Sequence, residues 1–129
     1  MPAERRLDLE LLPALFAVCR LPAGSATPGW ATGELCSVTH TAEEVSVVCP
    51  EDVVPAAVRS EGGWRCFKVR GPLAFELTGV LASLASPLAA AGVPIFALST
   101  FDTDYLLVPG DELPEAIDAL GAAGHRLQL

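Results

Sequence analysis

The sequence predicts an α+β fold built as two modules of related but unequal pattern. Short apolar segments with period-two patterning recur along the chain, and two later segments repeat apolar residues at helical spacing. A glycine step at Glu61-Gly62-Gly63 separates an irregular first part from a regular second one. That step sets the expected modules at residues 1–60 and 61–129.

In the first part, residues 14–20 (ALFAVCR) are dense in apolar side chains and end at Leu21-Pro22, as a strand would. Residues 22–33 hold two prolines and three glycines and read as a loop with a turn near Trp30. Residues 35–40 (LCSVTH) and 45–49 (VSVVC) follow as strands. Val45, Val47 and Cys49 share one face of the second, and so short a connection predicts an antiparallel hairpin. Pro50-Glu51-Asp52 opens at most one or two helical turns, because Pro55 interrupts them.

In the second part, residues 64–70 (WRCFKVR) form a strand stopped by Gly71-Pro72. Leu77, Val80, Leu81, Leu84, Leu88 and Ala91 then make one apolar helical stripe. Pro87 is expected to kink or split that helix, and Gly92 to end it. Residues 93–98 (VPIFAL) and 104–108 are strands. Asp111 is placed to cap a second helix, whose buried face is Leu113, Ala116, Ile117 and Leu120. Gly124 ends it, and residues 125–129 supply a closing strand. The order β-α-β-β-α-β is the split, ferredoxin-like arrangement of an antiparallel sheet with two helices on one face. The first part reads as an abbreviated version of the same plan.

Composition narrows the function. Apolar residues make up 51% of the chain, ample for a core. No apolar run reaches the roughly 20 residues of a membrane-spanning helix, and Asp8 and Glu10 interrupt what would be a secretory leader. A cytoplasmic protein is expected. Sixteen acids against eight bases leave a net charge of −8, so no basic patch is offered to nucleic acid. Cys19, Cys36, Cys49 and Cys66 lack metal-ligand spacing and read as buried reduced thiols, with no metal or cofactor expected. His40 and His125 fall in no motif, and no nucleophile elbow, metalloprotease helix or phosphate loop occurs. The chain is therefore not expected to be an enzyme. A small acylphosphatase-like enzyme would need an asparagine, and this sequence has none.

The chemically unusual segment is Ser99-Thr100-Phe101-Asp102-Thr103-Asp104-Tyr105, rich in hydroxyls and carboxylates between two apolar strands. Thr78-Gly79-Val80 opens the long helix, where backbone N–H groups can receive a carboxylate. Asp104 is an apt partner for an ammonium or guanidinium group. Together they offer the two poles of a free amino acid. A plain capped strand connection accounts for the same residues without a ligand.

The stretch PLAFELTGVLASLASPLAAAGVPIFALSTFDTDYLLV resembles the ACT-domain proteins related to the eukaryotic cytosolic arginine sensor. SVTHTAEEVSVVCPED is similar to the front of small bacterial members with two ACT-like halves. The resemblance implies two ferredoxin-like ACT modules, βαββαβ at the C-terminus and abbreviated at the N-terminus. It implies an amino-acid-binding regulatory protein with the ligand between modules, homodimeric, and acting through another protein. Carried onto this chain, the ligand-binding residues are Ala74, Thr78, Gly79 and Val80 on one side and Thr100, Phe101 and Asp104 on the other. Leu77 replaces an acidic residue of the sensor, so the implied site has one carboxylate fewer and the amino acid stays open. The alternatives are an assembly module with this fold and no ligand, and a small enzyme.

Overall fold

The computed structural model describes residues 6–71 and 78–129. The fold is α+β. Its strands are β1 (Asp8–Leu11), β2 (Phe16–Pro22), β3 (Ser37–His40), β4 (Glu44–Pro50), β5 (Arg59–Val69), β6 (Phe96–Ser99), β7 (Asp104–Pro109) and β8 (Arg126–Gln128). Its helices are α1 (Val80–Ala90) and α2 (Leu113–Ala122). The chain divides into two compact units. One is Ala14–Trp64, and the other joins residues 6–13 to Arg65–Leu129. The boundary thus differs from the sequence-based 1–60 and 61–129, because β1 is a strand of the C-terminal unit.

In the Ala14–Trp64 unit the strands run β3-β4-β2-β5, with the first half of β5 at the end of the row. β2 and β4 pair antiparallel from Phe16↔Pro50 to Pro22↔Glu44, and β3 pairs β4 as the expected hairpin. Alternation puts Ala17, Cys19, Val45, Val47 and Cys49 on one face, all essentially buried. Among its own described residues this unit has no α-helix to cover that face. Trp30 and Ala31 of the 22–33 loop pack there, with Val53, Val54 and Val58. The pattern therefore holds its core with loop residues where a fuller module would use helices.

The glycine step does not end a strand. β5 begins at Arg59 and passes straight through Glu61-Gly62-Gly63. Phe16 pairs with Trp64 but Val18 with Glu61, so one extra residue of β5 is taken up between them. A bulge of this kind inserts one residue and bends the strand. Glu51 Oε1 accepts from the Gly63 N–H at 2.8 Å and secures it.

In the other unit the strand order is β6-β7-β5-β1-β8, with the later half of β5 at the centre. The elements β5-α1-β6-β7-α2-β8 follow the expected β-α-β-β-α-β order. The closing strand differs from the simple ferredoxin-like plan. β1 lies between β5 and β8, antiparallel to β5 (Leu9↔Val69) and parallel to β8 (Asp8↔Arg126). Its Leu-Asp-Leu-Glu alternation from Leu7 drives this. Leu7 and Leu9 join the core while Glu10 faces solvent. Arg126 Nε and Nη2 donate to the two Asp8 oxygens at 2.7 and 3.2 Å, an exposed fork on the same pair of strands.

Phe67, Val69, Leu106 and Val108 of the sheet meet Val80, Leu84 and Leu88 of α1 and Ala116 and Leu120 of α2. Burying a side chain of this size contributes about 1.5–3 kcal/mol. Pro87 neither splits nor ends α1, which runs to Ala90. Gly92 N–H donates to Ala89 O and Val93 N–H to Leu88 O, closing the helix in a Schellman pattern. Gly124 and His125 do the same for α2, donating to Gly121 O and Leu120 O. Asp111 does not cap α2. It lies in a 3₁₀ turn, Gly110–Glu112, and the residue preceding the helix is Glu112, with no side-chain cap.

Candidate functional site

β6 and β7 form a hairpin in which Ser99 faces Asp104. Residues 100–103 connect them, and the turn is closed by its own hydroxyl groups. Thr100 N–H and Oγ1 both donate to Thr103 O, at 2.8 and 3.1 Å, and Thr103 N–H donates to Thr100 Oγ1 at 3.3 Å. Thr103 is buried, and its Oγ1 donates to Val69 O at 2.6 Å. That bond fastens the turn to the carboxyl end of β5.

Ser99 Oγ donates to Asp104 Oδ1 at 2.7 Å. The bond fixes the carboxylate at the head of β7 and orients it. Among the described residues no donor reaches Oδ2, so the group keeps accepting capacity. Phe101, at the tip of the turn, is 78% exposed.

The second group is the opening of α1. Gly79 precedes the helix at φ +77°, ψ 1°, in the left-handed region where a side chain would strain the backbone. A Cβ there would meet no atom within 4 Å, so glycine is needed for its conformation rather than for lack of room. The first intrahelical bond runs from Ser83 N–H to Gly79 O at 2.9 Å. The N–H groups of Val80, Leu81 and Ala82 lie ahead of it and have no carbonyl of the helix to bond. No acidic residue or side-chain cap occupies this first turn. The positive end of the helix dipole is therefore uncompensated by the helix's own side chains.

Topology puts both groups at one end of the unit. Ser83, in the first turn of α1, is bonded to His125, which is bonded to Leu7, next to Asp8, whose carbonyl accepts from Arg70 N–H at the end of β5. The β6–β7 turn is bonded to that same end through Thr103 and Val69. Of the residues singled out from the sequence, Thr78, Gly79 and Val80 lie at the helix opening. Thr100, Phe101 and Asp104 lie on the hairpin turn. Ala74 lies outside the described residues. In the sequence Ser99 and Thr103 are only hydroxyls of a polar segment. Their roles, orienting Asp104 and anchoring the turn, follow from strand register and from a carbonyl 34 residues away.

The other candidates for chemistry settle into structure. His40 Nε2 meets Thr27 Oγ1 at 3.1 Å on the surface of the first unit, and His125 is buried. None of the four cysteines forms a disulfide, and Cys19, Cys49 and Cys66 are buried. Burial raises the Cys19 and Cys36 thiols, and burial with the neighbouring thiols pushes Cys49 up to about 12. Such groups stay protonated and are poor nucleophiles or metal ligands. Among the described residues no cluster of three or more metal-binding side chains occurs. No helix described is long and apolar enough to cross a membrane.

Comparison with known proteins supports the fold. The ACT domain family matches residues 59–122, and a family of N-terminal domains matches residues 14–57. The solved structure of protein Atu0741 from Agobacterium tumefaciens is 44% identical, covers 97% of this chain and 94% of its own, and superposes with a TM-score of 0.92. The regulatory subunit of aspartate kinase from Thermus flavus has the same fold at 11% identity, with a TM-score of 0.61 over 89% of this chain and 95% of that one. Cytosolic arginine sensor for mTORC1 subunit 1 of Rattus norvegicus is 45% identical over 58 residues, 44% of this chain. The match spans only 18% of that relative's length. On these grounds the chain belongs to the ACT-domain family.

Proposed function

We propose that this protein is an amino-acid-binding regulatory module rather than an enzyme. In this reading the amides at the opening of α1 receive the ligand carboxylate, and Asp104 receives an ammonium or guanidinium group. Thr78, Gly79 and Val80 would line one side, with Ala74 assigned to it by the resemblance alone, and Thr100, Phe101 and Asp104 the other. The observation that carries the reading is the oriented Asp104 carboxylate, on a turn fastened to the end of β5 from which the chain passes to an uncapped helix start. Opposite poles at one end of a small unit suit a zwitterion.

Occupancy would shift the population of arrangements available to the protein and be read by a partner protein. Self-association as a homodimer and a cytoplasmic setting belong to the same proposal. The similar sensor is named for arginine, so L-arginine is one ligand to test. Leu77, where the sensor carries an acid, argues for a less cationic amino acid. The decisive experiment is thermal unfolding in the presence of each common amino acid. Stabilisation by at least one of them, lost in Asp104→Ala, is expected. No shift with any amino acid at millimolar concentration overturns the reading.

An assembly module without ligand is the second reading. The Ser99–Asp104 bond favours it, since a hairpin contact alone would account for that carboxylate. Dimerisation, read by light scattering, together with the absence of any amino-acid effect would support it.

A further inference from the structure

His125 follows the Gly124 that closes α2, and the residue is only 5% exposed. The Leu7 N–H donates to its Nδ1 at 3.1 Å. A backbone amide has only a proton to offer, so Nδ1 is the bare nitrogen and Nε2 carries the hydrogen. That hydrogen goes to the carbonyl oxygen of Ser83, 2.9 Å away in α1. In an uninterrupted helix the Ser83 carbonyl would be taken by the N–H of residue 87. Residue 87 is proline, which has no N–H and whose ring crowds the carbonyl four residues back.

We propose that His125 is a positioning residue for the opening of α1, supplying the donor that Pro87 lacks. The carbonyl it holds belongs to Ser83, whose own N–H makes the first bond of the helix, to Gly79 O. The imidazole therefore grips the first turn, the same turn whose amides point out of the helix start. Its backbone is fixed by the bond to Leu120 O, and its second nitrogen by Leu7, whose carbonyl in turn accepts from Arg126 N–H. One neutral ring thus ties α1 to the end of α2 and to the β1–β8 edge. The inference rests on the proposed function only in what the helix start is for. The latch itself is independent of any ligand.

The test is a double-mutant cycle on the full chain with hydrogen exchange at the Ser83 amide as readout. His125→Ala is expected to speed that exchange at least tenfold and to lower the melting temperature. Pro87→Ala restores an amide that can reach Ser83 O, and in that background His125→Ala should lose most of its effect. Additive effects of the two substitutions overturn the proposal. Should His125→Ala fail to fold, nitrogen NMR of the wild-type ring decides the matter. A neutral ring protonated at Nε2 is expected, and a ring protonated at Nδ1 at neutral pH overturns the latch. None of these measurements uses an amino acid, so a negative result here is separable from a failed ligand screen.

Discussion

Ser99 and Asp104 face each other at the ends of two antiparallel strands, and the hydroxyl of the first donates to a carboxylate oxygen of the second at 2.7 Å. The pair is exposed, so water can replace either partner. Asp104→Ala is therefore expected to change folding stability by less than about 1.5 kcal/mol, the net scale of one hydrogen bond. Its effect on ligand-induced stabilisation should be complete. Ser99→Ala keeps the carboxylate and should only weaken that stabilisation. Melting curves of the three proteins with and without each amino acid check both statements.

Cys49, opposite Ala17, is fully buried, and burial together with the neighbouring thiols pushes its pKa up to about 12. An unfolded thiol ionises near about 8.5. Between those values the unfolded chain has released a proton that the native chain keeps. The sign is then fixed. The thiol's contribution is fully present below about pH 8.5 and is lost as pH climbs toward 12, by at most about 1.4 kcal/mol per pH unit. Urea unfolding at pH 8 and pH 10 should show the wild type losing more stability than Cys49→Val. Equal losses would mean that Cys49 ionises in the native state as easily as in the unfolded one.

Gly33 and Pro50 approach so closely that a Cβ on Gly33 would lie 2.6 Å from the proline Cγ and Cδ. The backbone there is also at φ +133°, which side chains rarely adopt. Gly33→Ala is expected to destabilise the protein by about 1–3 kcal/mol. Pro50→Ala removes the clash but leaves the backbone strain, so the double variant should recover only part of the loss. Denaturant midpoints of the two single variants and the double variant separate the two causes.

These residues also show where the sequence was readable. Val45, Val47 and Cys49 announced β4 because alternation is a local property, and the stripe Val80-Leu84-Leu88 announced α1 for the same reason. β1 alternates as cleanly, yet its partners are Val69 and Leu127, far along the chain, with no adjoining turn to mark a hairpin. Glu61-Gly62-Gly63 carries the composition of a turn, but its neighbour β2 supplies a ladder that turns it into a bulge inside β5. Pro87 reads as a break because the donor that relieves it, His125, lies 42 residues from the carbonyl it serves. Asp104 stood out as a charge heading an apolar strand. What orients and anchors its turn was legible only once strand register was known.

Leu84 and Leu81 belong to the apolar stripe expected along α1, but only the first is buried, and the contrast separates fold from proposed site. Leu84 is fully buried against the sheet, whereas Leu81 is 41% exposed in the first turn. Truncating a buried leucine removes its transfer energy and leaves a cavity, so Leu84→Ala should cost about 2–5 kcal/mol. Leu81→Ala leaves no sealed cavity and should cost less than about 1 kcal/mol. If the helix opening binds a ligand, Leu81→Ala alters the flank of that site while the core stays whole. It should then change ligand-induced stabilisation out of proportion to its effect on folding. Calorimetric melting of both variants, with and without the amino acid that stabilises the wild type, measures the two effects side by side. A Leu81→Ala protein that matches the wild type in both would place the ligand away from this turn.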